Sequence, residues 1–257
     1  MISIAIFNEK GGVGKSTSVV NIASTLAQEF DKKVLILDCD KQCNATDYLL
    51  KDLKSKYSIL DYFEEKCTLV ESISDVSFVT KNGIVCIIPG DRRLNEYFES
   101  NDSAAFSSIF ELMKEFDYCL IDCPGSMNAV TKAVLDSVNF VLVPALADLD
   151  SLKGYSLLLD SVAEKKNINP SIKILGVFFN NVENFKPTDS YMIKKNTEAL
   201  NKSIFISMIR RSSAIQQARM LYLPVCLYKN SKTASKVSKD YIKLVQEIIT
   251  RIEIGGD

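Results

Sequence analysis

Lys10-Gly11-Gly12-Val13-Gly14-Lys15-Ser16-Thr17 is the stretch on which the reading of this chain turns. It follows the apolar run Ile2-Ser3-Ile4-Ala5-Ile6-Phe7, which has the character of a strand, and opens a helical pattern near Ser16. Gly14, Lys15 and Ser16 close the pattern G-x-x-x-x-G-K-[ST], while the usual first glycine is missing and Lys10 stands at the head of the loop. Between a strand and a helix this spelling makes a phosphate loop. Glycines let backbone N–H groups turn onto phosphate oxygens, the lysine reaches the β- and γ-phosphates, and the hydroxyl ligates Mg²⁺ at a helix N-terminus whose dipole favours anions. The expected nucleotide contacts are therefore Gly11, Gly12, Val13, Gly14, Lys15, Ser16 and Thr17.

Outward from the loop, Val19, Val20, Ile22, Ala23, Leu26, Ala27 and Phe30 recur at helical spacing and predict a helix over 15–31. Val34-Leu35-Ile36-Leu37 is then a continuous apolar run, the pattern of a parallel strand buried on both faces. It delivers Asp38-Cys39-Asp40-Lys41-Gln42-Cys43-Asn44 to the sheet edge where doubly wound folds bind ligands. Tyr118-Cys119-Leu120-Ile121 ends in the same way at Asp122, the Walker B arrangement that holds the Mg²⁺ hydration shell, and Cys123-Pro124-Gly125 follows. Further strands are expected at 84–88, 140–144 and 172–179, with helices at 45–50, 59–63, 91–99, 103–115, 126–137, one that follows the segment 147–154 and runs to about 166, and 188–201. The class is α/β: one doubly wound domain over 1–257, its mostly parallel twisted sheet flanked by helices.

Composition suits that class. The chain has 257 residues, 47% apolar and 25% charged, enough for one large core. No apolar run approaches the ~18 residues a membrane-spanning helix needs, and no signal-peptide pattern opens the chain, so a cytosolic protein is expected. Seven cysteines, no histidine and no C-x₂-C pair favour buried free thiols over a metal or iron–sulfur site. Charge is unevenly spread: the total is −1, yet residues 186–251 carry 13 Lys/Arg against four Asp/Glu. Lys232, Lys236, Lys239 and Lys243 share one face of a closing helix whose other face holds Val237, Tyr241, Leu244, Val245 and Ile248. A basic quarter of this kind suits an anionic partner, although lysines are also common on ordinary solvated faces.

The loop spelling K-G-G-V-G-K-S-T resembles that of the deviant Walker A ATPases, the group that contains ParA/Soj partition proteins, MinD and the nitrogenase iron protein. The resemblance implies ATP and Mg²⁺, and a homodimer that sandwiches two ATP molecules, with Lys10 contacting the phosphates of the second subunit. By the same resemblance Asp40 positions the attacking water, and Asp38 supports Mg²⁺ alongside Ser16 and Asp122. The segment from Asp38 is similar to D-x-D-P-Q-x-N, with Lys41 in place of proline and Cys43 in place of a common glycine. Gly125 departs from the usual D-x-P-P or D-x-P-S, which would loosen the loop facing the γ-phosphate.

Asn180 matches the position that reads the adenine edge, and Met208-Ile209-Arg210-Arg211-Ser212 resembles the I-P-R-x loop, which brings Ile209 into the nucleotide pocket. Arg211, Lys232 and Lys236 fall where ParA-type ATPases bind DNA without sequence preference. The reading that follows is a cytoplasmic, nucleoid-associated partition ATPase. It would work with nonspecific DNA and a centromere-binding ParB-type adaptor that stimulates slow hydrolysis, and without a membrane. The alternative is a MinD-like ATPase of membrane-associated positioning, whose family implies a basic amphipathic tail. Residues 250–257, with Glu253, Gly255, Gly256 and Asp257, do not have that composition. The iron protein's reductase role would need paired cluster cysteines at a dimer interface, whereas Cys119 and Cys123 flank a core strand.

Overall fold

The phosphate loop leaves the central region of a parallel sheet. A computed structural model describes residues 1–51, 55–101, 105–183, 203–229 and 232–255. The strands are β1 (Ile2–Ile6), β2 (Lys33–Asp38), β3 (Ser74–Asp75), β4 (Ile84–Ile88), β5 (Tyr118–Asp122), β6 (Phe140–Ala145) and β7 (Lys173–Phe179). Among the described residues they form one sheet in the order β3-β4-β2-β5-β1-β6-β7. Every pairing is parallel except β3 with β4. The order reverses direction on either side of β1, so the carboxyl ends of β1, β2 and β5 open a crevice of the kind that binds ligands in doubly wound folds.

Alternation along each strand builds two cores. Ile4, Ile6, Val34, Ile36 and Leu120 point to the face covered by α1 (Lys15–Phe30) and α2 (Asn44–Leu50). Ala5, Phe7, Leu35, Leu37 and Ile121 point to the other face, which is covered by α3 (Ile59–Phe63), α4 (Leu69–Ser72), α5 (Leu94–Ser100), α6 (Ala105–Leu112), α7 (Ala129–Leu135) and α8 (Leu149–Lys165). Burial on both faces is why these strands read as unbroken apolar runs. The first face is completed by α9 (Ser213–Met220) and α10 (Lys232–Ile254).

Boundaries differ from the sequence expectation where caps intervene. The first helix ends at Phe30 because Asp31 adopts φ 56 and donates its N–H to the Leu26 carbonyl. The helix expected over 126–137 starts later, at Ala129, where the Asn128 side chain caps it by accepting the Thr131 N–H. The helix expected at 188–201 lies outside the described residues. Three described elements fall where none is expected from the sequence: the four-residue α4, the two-residue antiparallel edge strand β3 and the eight-residue α9. A strand of two residues has no periodicity to detect.

Candidate functional site

Gly14 is the N-cap of α1 at φ 88, a left-handed conformation that glycine adopts without steric cost. A Cβ there would also collide with Asn180 Nδ2, so the loop packs closely against the residue that follows β7. Counted back from Gly14, the missing first glycine of the motif falls at Glu9, which makes Lys10 an extra side chain within the loop. The loop borders a 690 Å³ cleft that Lys15, Ser16, Thr17, Asp40 and Pro124 help to line. Lys15 is 8% exposed, and its Nζ donates to the Asn8 carbonyl at 3.1 Å. Asn8 in turn donates its side-chain amide to Pro144 O at 2.9 Å and accepts the Lys10 N–H at 2.9 Å. The loop is therefore tied to the ends of both β1 and β6. A Cβ at Gly125 would lie 3.1 Å from Lys15 Nζ, so the segment after β5 closes over the loop lysine.

Three carboxylates come together beside this loop. Asp38 and Asp122 end adjacent strands, and both are fully buried. Asp38 is held by the protein: its Oδ2 accepts the Thr46 N–H and hydroxyl at 2.8 and 2.7 Å, and its Oδ1 accepts the Asp40 N–H at 3.2 Å. Burial still pushes the Asp38 carboxyl up to about 6, against the pull of Thr46. The two oxygens of Asp122 have no hydrogen-bond partner among the described residues. Burial, with the Asp38 charge next, raises the Asp122 carboxyl well above the ordinary range. The Ser16 hydroxyl beside Asp122 offsets only part of that burial, and a buried carboxylate so weakly compensated is costly unless a cation completes it. Asp122 with the Ser16 hydroxyl nearby suits Mg²⁺ held mainly through phosphates and water. Among the described residues, no group of three or more carboxylate, thiol or imidazole side chains is placed to hold a metal ion by itself.

Asp40 lines the cleft, and its Oδ1 accepts the Gln42 N–H at 2.9 Å, which fixes the turn that carries it. Cys43, standing where a glycine is common, takes the left-handed φ 51 at the start of α2. Lys10 reaches across to Asp148, with Nζ 2.5 Å from Oδ2. A second cavity of 400 Å³ meets the first at the loop and is bounded by Asn180, Asn181, Arg210 and Ser212. Asn180 faces it while donating to Val13 O at 2.7 Å and accepting the Asn181 N–H at 2.9 Å.

Ile209 does not line that cavity, which corrects the expectation drawn from the I-P-R-x resemblance. Its side chain is fully buried in the core, its N–H donates to Phe179 O, and its carbonyl accepts from Val182 N–H. The lining falls instead to Arg210, Arg211, Ser212 and Ser213. Arg210 was missed by the sequence reading. Its Nε and Nη2 form a bidentate pair with Asp240 on α10 at 2.5 and 2.7 Å, fastening the cavity wall to the lysine-bearing helix. A second arginine where the motif has proline was the available signal.

The basic face lies next to this clamp. Lys232, Lys236, Lys239 and Lys243 are all exposed, while Val237, Tyr241, Leu244, Val245 and Ile248 are buried. Arg211, adjacent to Arg210, is exposed and paired with Glu183. Cys39, Cys86, Cys119, Cys123 and Cys226 are buried free thiols, as expected, while Cys43 and Cys67 are half-buried. No helix among the described residues is long and apolar enough to cross a membrane.

A glycine-bearing loop at the helix N-terminus, a buried Walker B aspartate and a parallel sheet with its crevice at β1 define a phosphate-loop nucleotide-binding domain. Residues 1–174 match a family model described as an AAA domain, and the chain belongs to that family. It is 28% identical over 256 residues to the chromosome-partitioning ATPase Soj of Treponema pallidum, covering 97% of each chain. It is 27% identical over 258 residues to the chromosome partitioning protein ParA of Caulobacter vibrioides, covering 96% of this chain and 94% of that one. These matches bear out the ParA/Soj resemblance carried by the loop. The fold is also that of the Cyanothece McdA–ATP complex, with a TM-score of 0.83 at 22% identity over 97% of this chain and 96% of that one.

Proposed function

We infer that the chain is an ATP-hydrolysing partition ATPase that dimerises on ATP, binds DNA without sequence preference and releases it on hydrolysis. The observation that carries the reading is the meeting of the loop with Asp38, Asp40 and the fully buried Asp122 at one sheet edge. Names of relatives that align along nearly the whole chain, chromosome-partitioning ATPase and chromosome partitioning protein, support the cellular role. Phosphoryl transfer to water needs positioning and charge neutralisation more than covalent chemistry. Ser16 and Asp122, with Asp38 behind them, would hold Mg²⁺, which would supply neutralisation of phosphate charge. Lys15 exchanges its Asn8 contact for the β- and γ-oxygens, and Asp40 orients the attacking water. Lys10 leaves Asp148 to meet the nucleotide of a second copy.

Arg211, Lys232 and Lys236 give the dimer its DNA contacts, and a centromere-binding ParB-type adaptor stimulates hydrolysis at the nucleoid. Sedimentation with nonspecific duplex DNA, and separately with anionic liposomes, each with and without ATP, tests this. Co-sedimentation with DNA only in the presence of ATP is expected. ATP-dependent sedimentation with liposomes and not with DNA would replace partition by the MinD-like role.

A further inference from the structure

Two cavities, of 690 and 400 Å³, flank the phosphate loop, and Gly12, Gly14 and Thr17 line both. One side chain from outside the loop also lines both: Arg219, in the last turn of α9. The first cavity is lined by Lys15, Ser16 and Asp40, which the proposed reading sets at the β- and γ-phosphate end of the nucleotide. The second is bounded by Asn180 and Ser212 and has the room left for a base. A nucleotide spanning the two passes its ribose and α-phosphate through the junction where Arg219 stands. The guanidinium rests over the Tyr48 ring at 5.5 Å and has its Nη2 3.4 Å from Asn44 Oδ1, so a ring face and a neutral amide hold it at the lip. A fork of N–H donors presented this way matches phosphate oxygens.

We propose that Arg219 is a nucleotide-contacting residue that pairs with the α-phosphate of the nucleotide bound in its own subunit. The inference rests on the ATPase reading and adds to it a contact that the loop motif does not contain. Asn44 begins α2 directly after the turn that carries Asp40, so the same arginine also ties an occupied α-phosphate site to that turn. An α-phosphate contact is common to ATP and ADP, whereas a γ-phosphate contact or one made across a dimer serves ATP alone.

The test is calorimetric titration of Mg·ATP and Mg·ADP into wild type, Arg219→Gln, Arg219→Lys and a Lys15→Ala control, with thermal melts of each. Arg219→Gln should weaken ATP and ADP alike by about tenfold, the scale of one charge-assisted hydrogen bond, and Arg219→Lys should recover part of the loss. Melting temperatures should be unchanged, because the side chain is exposed. Equal affinity in Arg219→Gln and wild type overturns the proposal, as does a loss confined to ATP. A loss that Arg219→Lys does not relieve and that comes with a lowered melting temperature shows a packing role instead and also overturns it. Wild type that fails to bind Mg·ATP would remove the ATPase reading itself, an outcome distinct from the other three.

Discussion

Asp38 and Asp122 are register partners at the ends of neighbouring parallel strands, β2 and β5, two buried carboxylates side by side with Asp122 lacking any hydrogen-bond partner among the described residues. Burial holds both carboxyls above their ordinary range, Asp38 at about 6, and the Asp38 charge adds to the rise at Asp122.

The pair makes the nucleotide-free chain sensitive to pH. A carboxyl whose folded pKa is raised binds its proton more tightly folded than unfolded, so its contribution is full below the ordinary value near 3.8 and is lost as pH rises through about 6. For Asp38 the shift corresponds to at most about 3 kcal/mol. Asp122→Asn should therefore stabilise the nucleotide-free protein at pH 7.5 and reduce the difference in Tm between pH 5 and pH 7.5. Melts of the variant that show the wild-type pH dependence would remove the repulsion from the account.

Lys10→Ala should bind ATP as a monomer and fail to dimerise, since in the single chain its Nζ is engaged by Asp148 and not by the loop's own phosphate-binding groups. Light scattering with and without ATP reads the outcome directly. An ATP-dependent dimer of Lys10→Ala at wild-type concentrations would show that the lysine serves only its own chain.

Lys15→Ala should abolish ATP binding, whereas Asp40→Ala should bind ATP and slow hydrolysis by roughly a hundredfold, the low end of what positioned acid–base and water-orienting groups contribute. The separation follows from place: Lys15 is nearly buried within the loop, and Asp40 lies on the cleft wall beyond it. Phosphate release by Asp40→Ala at the wild-type rate would take the water-positioning role away from this residue.

DNA affinity should rise on ATP-driven dimerisation, because a two-fold dimer doubles the phosphate contacts on one surface. With roughly six contacts per dimer, the slope of log affinity against log salt would be about −5. Replacing Arg211, Lys232 and Lys236 with alanine should flatten that slope and weaken binding to all sequences alike, and replacing Lys232 and Lys236 alone should do so in part with basal ATP hydrolysis retained. Unchanged affinity across a salt titration would reduce the stripe to an ordinary solvated helix face.

Much of the molecule was legible before any tertiary contact was known. The loop at Lys10–Thr17, the apolar runs closed by Asp38 and Asp122, and the lysine face of the last helix are local patterns, because phosphate binding, two-sided strand burial and helix amphipathicity are each imposed within one segment. The same reading failed at Ile209, where a motif position gave the neighbourhood but not the side of the backbone: its side chain turns into the core, and Arg210 faces the cavity.

What the tertiary structure alone decided is which distant residues share a site. Strand order sets Asp38 against Asp122 across 84 positions of chain and so creates the electrostatic strain between them, and no local pattern encodes that neighbour relation. The Arg210–Asp240 clamp, the Lys10–Asp148 pair and the place of Arg219 between two cavities depend likewise on packing between elements remote in sequence. Residue type and spacing determined the chemistry available, since they act through short-range backbone geometry. Long-range pairing determined which of those groups meet, since it arises only when the sheet closes and buries them together.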